Sequence, residues 1–187
     1  MHNLLRKFQE IAHLSKESEI MLLNTIERIE YPAKTNLQDI GKVCNSIYFV
    51  EKGVARTYYY KEGKDITYWI VTENDFVGAM GSFFTREPSN KLVETIEPCI
   101  LWKFDFDKLE ELFKVNQELE RSARLFSYYG IGLLEKRADS LHFNTAKERY
   151  DIMLEKQPDI LKRVPLGMVA SYLGITQETL SRIRANK

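Results

Sequence analysis

Residues 164–187 read VPLGMVASYLGITQETLSRIRANK, and this stretch decides how the rest of the chain is read. Val169 and Leu173 lie four apart on one helical face, and Ile175, Leu180 and Ile183 close a second helix over them. Ala170 falls where two helices cross closely, so that a larger side chain would push them apart. Gly174 ends the first helix, because a residue without Cβ reaches the left-handed conformation at little cost. Thr176 is then a good N-cap for the second helix. The pattern predicts a helix-turn-helix that turns Gln177, Glu178, Ser181, Arg182 and Arg184 outward with their polar ends free. A plain helical hairpin with a solvated face would satisfy the apolar positions too. The coincidence of Ala170 and Gly174 with those positions favours recognition of DNA.

Charge supports that reading modestly. The chain has 187 residues and a net charge of zero, but residues 1–120 carry 15 Lys and Arg against 20 Asp and Glu, whereas residues 121–187 carry 12 against 7. The positive part contains the helix-turn-helix, as attraction to phosphates requires. Cys44 and Cys99 lie far apart and form no metal-spaced pair, which fits a reduced cytoplasmic protein. The N-terminus MHNLLRKFQE has no apolar signal core, and no stretch approaches membrane-spanning length. An enzyme is disfavoured: no histidine falls between His13 and His142, so the central β-rich region lacks the usual ligand for a metal-dependent β-barrel dioxygenase. No nucleophile–base pair stands out either.

Leu4 to about Ile29 reads as helix, interrupted near Ser15 and stopped by Tyr31-Pro32. From Thr35 to Phe104 the texture is β-rich, with strands at 47–50, 54–60, 66–71, 92–96 and 100–104 separated by turn signals. Strands this short and evenly spaced predict a small closed sandwich or roll. The segment FVGAMGSFFTREPSN, residues 76–90, reads as a loop with a helical turn inserted between strands. From Asp107 to about Leu141 one long helix is expected. Its stripe Leu109, Leu112, Asn116, Leu119, Ala123, Phe126, Gly130, Leu133 and Arg137 alternates steps of three and four. A single chain could bury that stripe against its own β domain. Some thirty residues of seam make roughly 45 Å of helix, however, and that length favours a symmetric homodimer through Leu112, Asn116, Leu119, Ala123, Phe126, Gly130 and Leu133. Thr145-Ala-Lys-Glu148 is a capping box opening a further helix to about Lys156, and His142-Phe-Asn144 is a hinge candidate. Pro165 is placed to open the helix-turn-helix.

This order of elements resembles the Crp/Fnr family of bacterial transcription regulators over nearly the whole chain. Three stretches carry the resemblance: Ile47-Tyr-Phe-Val-Glu-Lys-Gly53, Phe76-Val-Gly-Ala-Met-Gly-Ser-Phe83 and Gly174-Ile-Thr-Gln-Glu-Thr-Leu-Ser-Arg182. It implies an α+β fold with a β-roll sensor of cyclic-nucleotide-binding type at 1–106, a dimerisation helix at 107–142 and an all-α helix-turn-helix of winged-helix type at 143–187. The sequence runs only a few residues past Ile183, so the wing is expected to be missing. The partners implied are two-fold symmetric double-stranded DNA, a second copy of the chain and RNA polymerase, with no membrane.

Site residues follow from the same resemblance. Family members often present a Glu and an Arg one turn apart in the recognition helix, and Glu178 and Arg182 match them. Arg182 would donate to guanine O6 and N7 and Glu178 would accept from a cytosine amine, with Gln177 suited to adenine. An i,i+4 ion pair between Glu178 and Arg182 would preorganise the arginine. Thr176, Ser181 and Arg184 are better placed for phosphates. The insert residues Phe76, Gly78, Ala79, Gly81, Ser82, Phe83 and Ser89 are candidates for a small-molecule effector, by way of glycines and backbone amides. A simply packed loop is the competing reading.

Cyclic AMP does not fit. Its binders in this family follow the first insert glycine with a Glu, place an Arg eleven residues after that glycine, and use a hydroxyl pair on the long helix. This chain has Ala79, Ser89, and Leu134 with Glu135 at those positions. Arg86 and Lys91 are the nearby cations that would have to substitute. The cysteine cluster of oxygen-sensing relatives is absent, no context marks His2, His13 or His142 as a haem ligand, and no metal or cofactor is identified. The alternative function is a nucleotide- or anion-binding regulatory subunit whose C-terminal hairpin docks a protein.

Overall fold

The structure, a computed structural model, describes residues 2–185. Met1, Asn186 and Lys187, the last two at the end of the helix-turn-helix stretch, lie outside it, as does the side chain of His2. Two helices lead in, α1 (His2–Ile11) and α2 (Lys16–Thr25), and the Ser15 hydroxyl caps the second by accepting from Ser18 N at 3.3 Å. The helical reading to Ile29 overshoots. Ile26 closes α2 with an extended backbone, and β1 (Glu27–Tyr31) starts at once. Its partner is β8 (Cys99–Asp105), antiparallel, with Glu27 opposite Lys103 and Tyr31 opposite Cys99. Pairing with a strand some seventy residues away overrides the local helical period, which no local window registers.

The remaining strands are β2 (Asn36–Gln38), β3 (Ser46–Lys52), β4 (Ala55–Lys61), β5 (Lys64–Val71), β6 (Phe76–Val77) and β7 (Leu92–Thr95), with helix α3 (Met80–Thr85) between β6 and β7. They form two four-stranded antiparallel sheets, ordered β1-β8-β3-β6 and β2-β7-β4-β5. The five strands expected from alternation are all present. The three that were not expected, β1, β2 and β6, are short or are held by partners distant in sequence. Phe49, Val50, Val93, Leu101 and Phe104 are buried in the core of the roll. A ring cluster of Phe8, Phe76, Phe104 and Phe126 joins that core to α1 and to the helix that follows the roll.

That following helix is two helices, α4 (Phe106–Val115) and α5 (Gln117–Phe143), broken at Asn116. Asn116 has φ −137° and ψ 97°; its Oδ1 accepts from Leu119 N at 3.0 Å, and its Nδ2 donates to the Ser18 hydroxyl at 3.0 Å. Asn116 therefore caps α5 against α2 and does not sit mid-helix as a register residue. The dimer seam expected through Leu112, Asn116, Leu119, Ala123, Phe126, Gly130 and Leu133 is corrected at Leu112, Asn116, Leu119 and Phe126, which are used within the chain. Leu112 and Leu119 are buried in the sensor core, and Phe126 packs 4.5 Å from Phe8. Ala123, Gly130 and Leu133 are half-buried on the same side. A stripe of period 3.5 goes to whichever apolar surface reaches it first, and as far as Phe126 the chain's own sensor core supplies that surface.

On an adjacent side of α5, offset by one residue from that stripe, apolar side chains reach solvent: Ile131 is 62% exposed, Leu134 47% and Leu141 44%. With Ser127 and Ala138 they step by four, three, four and three. Beyond α5 come α6 (Ala146–Lys156), α7 (Ile160–Arg163), α8 (Leu166–Leu173) and α9 (Gln177–Ala185). The capping box is formed, with Thr145 and Glu148 each bonding the other's backbone. Pro165 sits one position earlier than expected, as the N-cap of α8. These helices share a second core built on Tyr150, Met153, Ile160, Val169, Leu173 and Leu180, and Val54 and Ile70 of the roll belong to it.

Candidate nucleic-acid interface and sensor insert

The helix-turn-helix follows its sequence closely. Val169, Ala170, Leu173 and Leu180 are fully buried, and Ile175 and Ile183 pack beside them. Gly174 has φ 67°, the left-handed region that favours glycine, and Ile175 N closes the turn on Ala170 O at 3.0 Å. Thr176 caps α9 by accepting from Thr179 N at 3.2 Å. Gln177, Glu178, Ser181, Arg182 and Arg184 are all exposed on α9. Arg182 donates to the Thr179 hydroxyl at 3.2 Å, so its partner is one residue nearer than the Glu178 of the expected ion pair. The backbone N–H of Glu178 and the Thr176 hydroxyl hold the Glu178 carboxyl below its usual range. The outer face of α9 thus offers donors and an ionised acceptor side by side, which is the chemistry that reads base edges in a major groove.

Two arginines finish α8, and sequence reasoning missed both. Arg149 Nε donates to Leu173 O at 2.9 Å. Arg137 donates to Tyr172 O and stacks over the Tyr172 ring at 4.1 Å from its centroid. They satisfy carbonyls that the last turn of a helix leaves open. In the sequence Arg137 only interrupts a heptad seam; the available signal was a cation falling where an apolar residue should be.

The insert is constructed differently. Phe76 belongs to the ring cluster, and Phe83 packs its ring 5.3 Å from Phe106. Ala79 is buried in the same core. Gly78 lies so close to Ile47 that a Cβ would come within 2.8 Å of Ile47 Cγ2, so packing requires this glycine. The Ser82 hydroxyl accepts from Cys44 N at 2.9 Å and donates to Glu87 O at 2.5 Å. Ser89 Oγ bridges the N–H and C=O of Lys91 at 3.0 and 2.8 Å. Gly81 alone of the candidates is exposed, with open space where a Cβ would stand. The expectation that Phe76, Gly78, Ala79, Ser82, Phe83 and Ser89 face a ligand is therefore corrected: they are consumed in packing and local hydrogen bonds.

The same holds for the two cations. Arg86 donates to Cys44 O at 2.7 Å and to Asn45 Oδ1 at 2.5 Å, and lies 3.7 Å over the Phe106 ring. The Lys91 ammonium sits 4.7 Å from the centroid of Tyr68. Among the described residues no group of three or more His, Cys, Asp or Glu gathers as a metal site would need. Among them, too, no helix is long and apolar enough to cross a membrane.

Comparison with known proteins agrees with the geometry. Residues 28–116 match the model of the cyclic nucleotide-binding domain. The cAMP-activated global transcriptional regulator CRP of Escherichia coli is 24% identical over 166 residues, covering 82% of this chain and 79% of the relative. Among solved structures, FixK2 from Bradyrhizobium japonicum superposes with a TM-score of 0.71 at 18% identity, covering 86% of this chain and 83% of that one. The c-di-GMP responsive regulator CLP of Xanthomonas campestris gives 0.63 at 19% identity, covering 92% and 91%. Of these relatives, CRP is a transcriptional regulator and CLP a global regulator linked to gene expression. Residues 28–116 thus carry a cyclic nucleotide-binding domain, and with its roll, its α4–α5 helical pair and its C-terminal helix-turn-helix the chain resembles regulators of the Crp/Fnr family.

Proposed function

We propose that the chain is a sequence-specific, homodimeric DNA-binding regulator, and that α9 is its recognition helix. The observation that carries this reading is the outer face of α9, where Gln177, Glu178, Ser181 and Arg182 stand exposed on a helix whose inner side is fully packed. Arg182 and Glu178 read a G·C pair in each half-site, Gln177 reads a neighbouring base, and Thr176, Ser181 and Arg184 contact phosphates. Selection from random duplexes tests it: enrichment of a two-fold motif is expected. Recovery of no motif at low salt, or capture of a protein in place of DNA, would overturn it.

The second copy docks along Ile131, Leu134, Ala138 and Leu141, the apolar stripe that faces solvent in the single chain. Leu134→Glu is expected to leave a folded monomer in sedimentation, while wild-type protein sediments as a dimer. A wild-type monomer at micromolar concentration would overturn this assignment.

The effector of the roll differs from cyclic AMP. A cyclic phosphate buried in the insert would lack a free cation, since Arg86 and Lys91 are engaged elsewhere, and an unpaired buried charge is costly. Calorimetric titration with cyclic AMP should show no saturable heat; tight stoichiometric binding would refute this.

A further inference from the structure

The helix-turn-helix is fastened to the sensor roll as well as to α5, and the fastening is polar. Arg163 ends α7, immediately before the module's first helix. Its guanidinium donates to both oxygens of Glu73, at 2.8 and 2.6 Å, and to Glu97 at 2.5 Å. Glu73 lies in the turn between β5 and β6, just ahead of the insert, and Glu97 lies in the turn between β7 and β8. The Glu73 carboxylate also accepts from Gly53 N at 2.9 Å, which anchors it to the roll backbone. A second tie joins the same surfaces: Thr67 N of β5 donates to the Ser171 hydroxyl of α8 at 2.9 Å. Around these bonds Val54 and Ile70 of the roll enter the module's core.

A dimer reading two half-sites must hold its recognition helices at a fixed separation, about 34 Å for one helical turn of DNA. The joint between α5 and α6 is two extended residues, Asn144 with φ −90° and ψ 143° and Thr145 with φ −65° and ψ 161°. On its own such a joint lets the module swivel. A flexible link lowers the effective concentration of the second module at its half-site and widens the range of spacings tolerated. The contacts of Arg163 oppose that swivel, because they join the segment leading into α8 to two separate turns of the roll.

We propose that Arg163, through Glu73 and Glu97, is a positioning residue for DNA recognition: the clamp fixes each helix-turn-helix to its sensor roll and so sets which half-site spacing the dimer accepts. This rests on the reading of α9 as the recognition helix and adds a specificity determinant that touches no DNA. It also places Glu73, which precedes the insert by a few residues, on the route by which a change in the roll would reach α8.

The test uses the full-length dimer and duplexes built from the selected motif, with either one half-site or two whose spacing is varied one base pair at a time. Wild-type protein should prefer one spacing. Arg163→Gln should keep its affinity for a single half-site within about twofold, lose about tenfold at the best spacing, and show a flattened spacing profile. Glu73→Gln should do the same more weakly, and Arg163→Lys should restore part of the preference. In parallel, hydrogen exchange of the Thr67 amide should accelerate in Arg163→Gln while the Leu101 amide in the roll core stays protected. An unchanged spacing profile would overturn the proposal, as would an equal loss on single and paired half-sites. Failure of the recognition-helix reading looks different: wild-type protein would then bind no selected duplex, and Arg182→Ala would have nothing to weaken.

Discussion

The sensor insert and the recognition helix draw on the same residue types, small residues beside Ser and Arg, and use them in opposite ways. In the insert the polar side chains are turned inward and bonded within the roll: Ser82 joins Cys44 to Glu87, and Arg86 bonds Cys44 and Asn45. In α9 they are turned outward, and Ser181, Arg182 and Arg184 stand exposed above a packed inner side. A buried hydroxyl must find its partners in the protein, whereas a side chain on an exposed helix face keeps them for a ligand. Hence the insert's polar groups hold the fold together, and those of α9 are free for recognition. The lesson is that a motif's chemistry depends on whether its polar atoms have already been used.

The contrast can be broken in order of effect. Ser82→Ala removes both bonds and strands a buried N–H and a carbonyl, so urea unfolding should show a loss of about 2–3 kcal/mol. A loss near zero would mean that the insert's hydroxyl is free after all. Arg182→Ala should do the reverse, changing stability by less than about 0.5 kcal/mol while costing about 1–3 kcal/mol of binding at one base pair in each half-site. An unchanged selected motif would remove Arg182 from base reading. Thr176→Ala falls between the two kinds, because the same hydroxyl caps α9 and is offered to a phosphate. It should cost about 1 kcal/mol of stability by thermal melting and should weaken binding evenly across sequences.

The smallest effect concerns the contact between the two regions. Burial pulls the Glu73 carboxyl upward, but the Arg163 guanidinium and the Gly53 N–H outweigh it and hold its pKa at about 2. A carboxyl depressed in the folded state stabilises fully above its unfolded pKa and loses that contribution as pH falls toward its folded one. The clamp should therefore contribute equally at pH 8 and pH 5 and weaken only from about pH 4.5 downward. A double-mutant cycle of Arg163→Gln and Glu73→Gln, measured at both ends of that range, checks it. A coupling that changes between pH 8 and 5 would contradict the assignment.

Much of the site was legible in the sequence because its determinants are local. Gly174 marks the left-handed turn, Thr176 the cap, and the spacing of Val169, Leu173, Leu180 and Ile183 the packed side. Thr145 and Glu148 likewise announce their capping box. What was misread depended on contacts distant in sequence. Asn116 looked like a seam residue and is a cap bonded to Ser18; Leu112 and Leu119 looked like dimer contacts and are sensor core. Ser82 and Ser89 looked available and are bonded to backbone.

The sequence by itself determined that a helix-turn-helix follows a β-roll, since helical period, strand alternation and turn residues are written within a few positions of one another. Only the tertiary structure decided which side of α5 stays free, whether the insert's hydroxyls are spent, and that Arg163 clamps the module to Glu73 and Glu97. The physical reason is that periodicity shows a surface will be buried or bonded but carries no information about the partner. The partner is chosen by the folding of chain segments tens of residues apart.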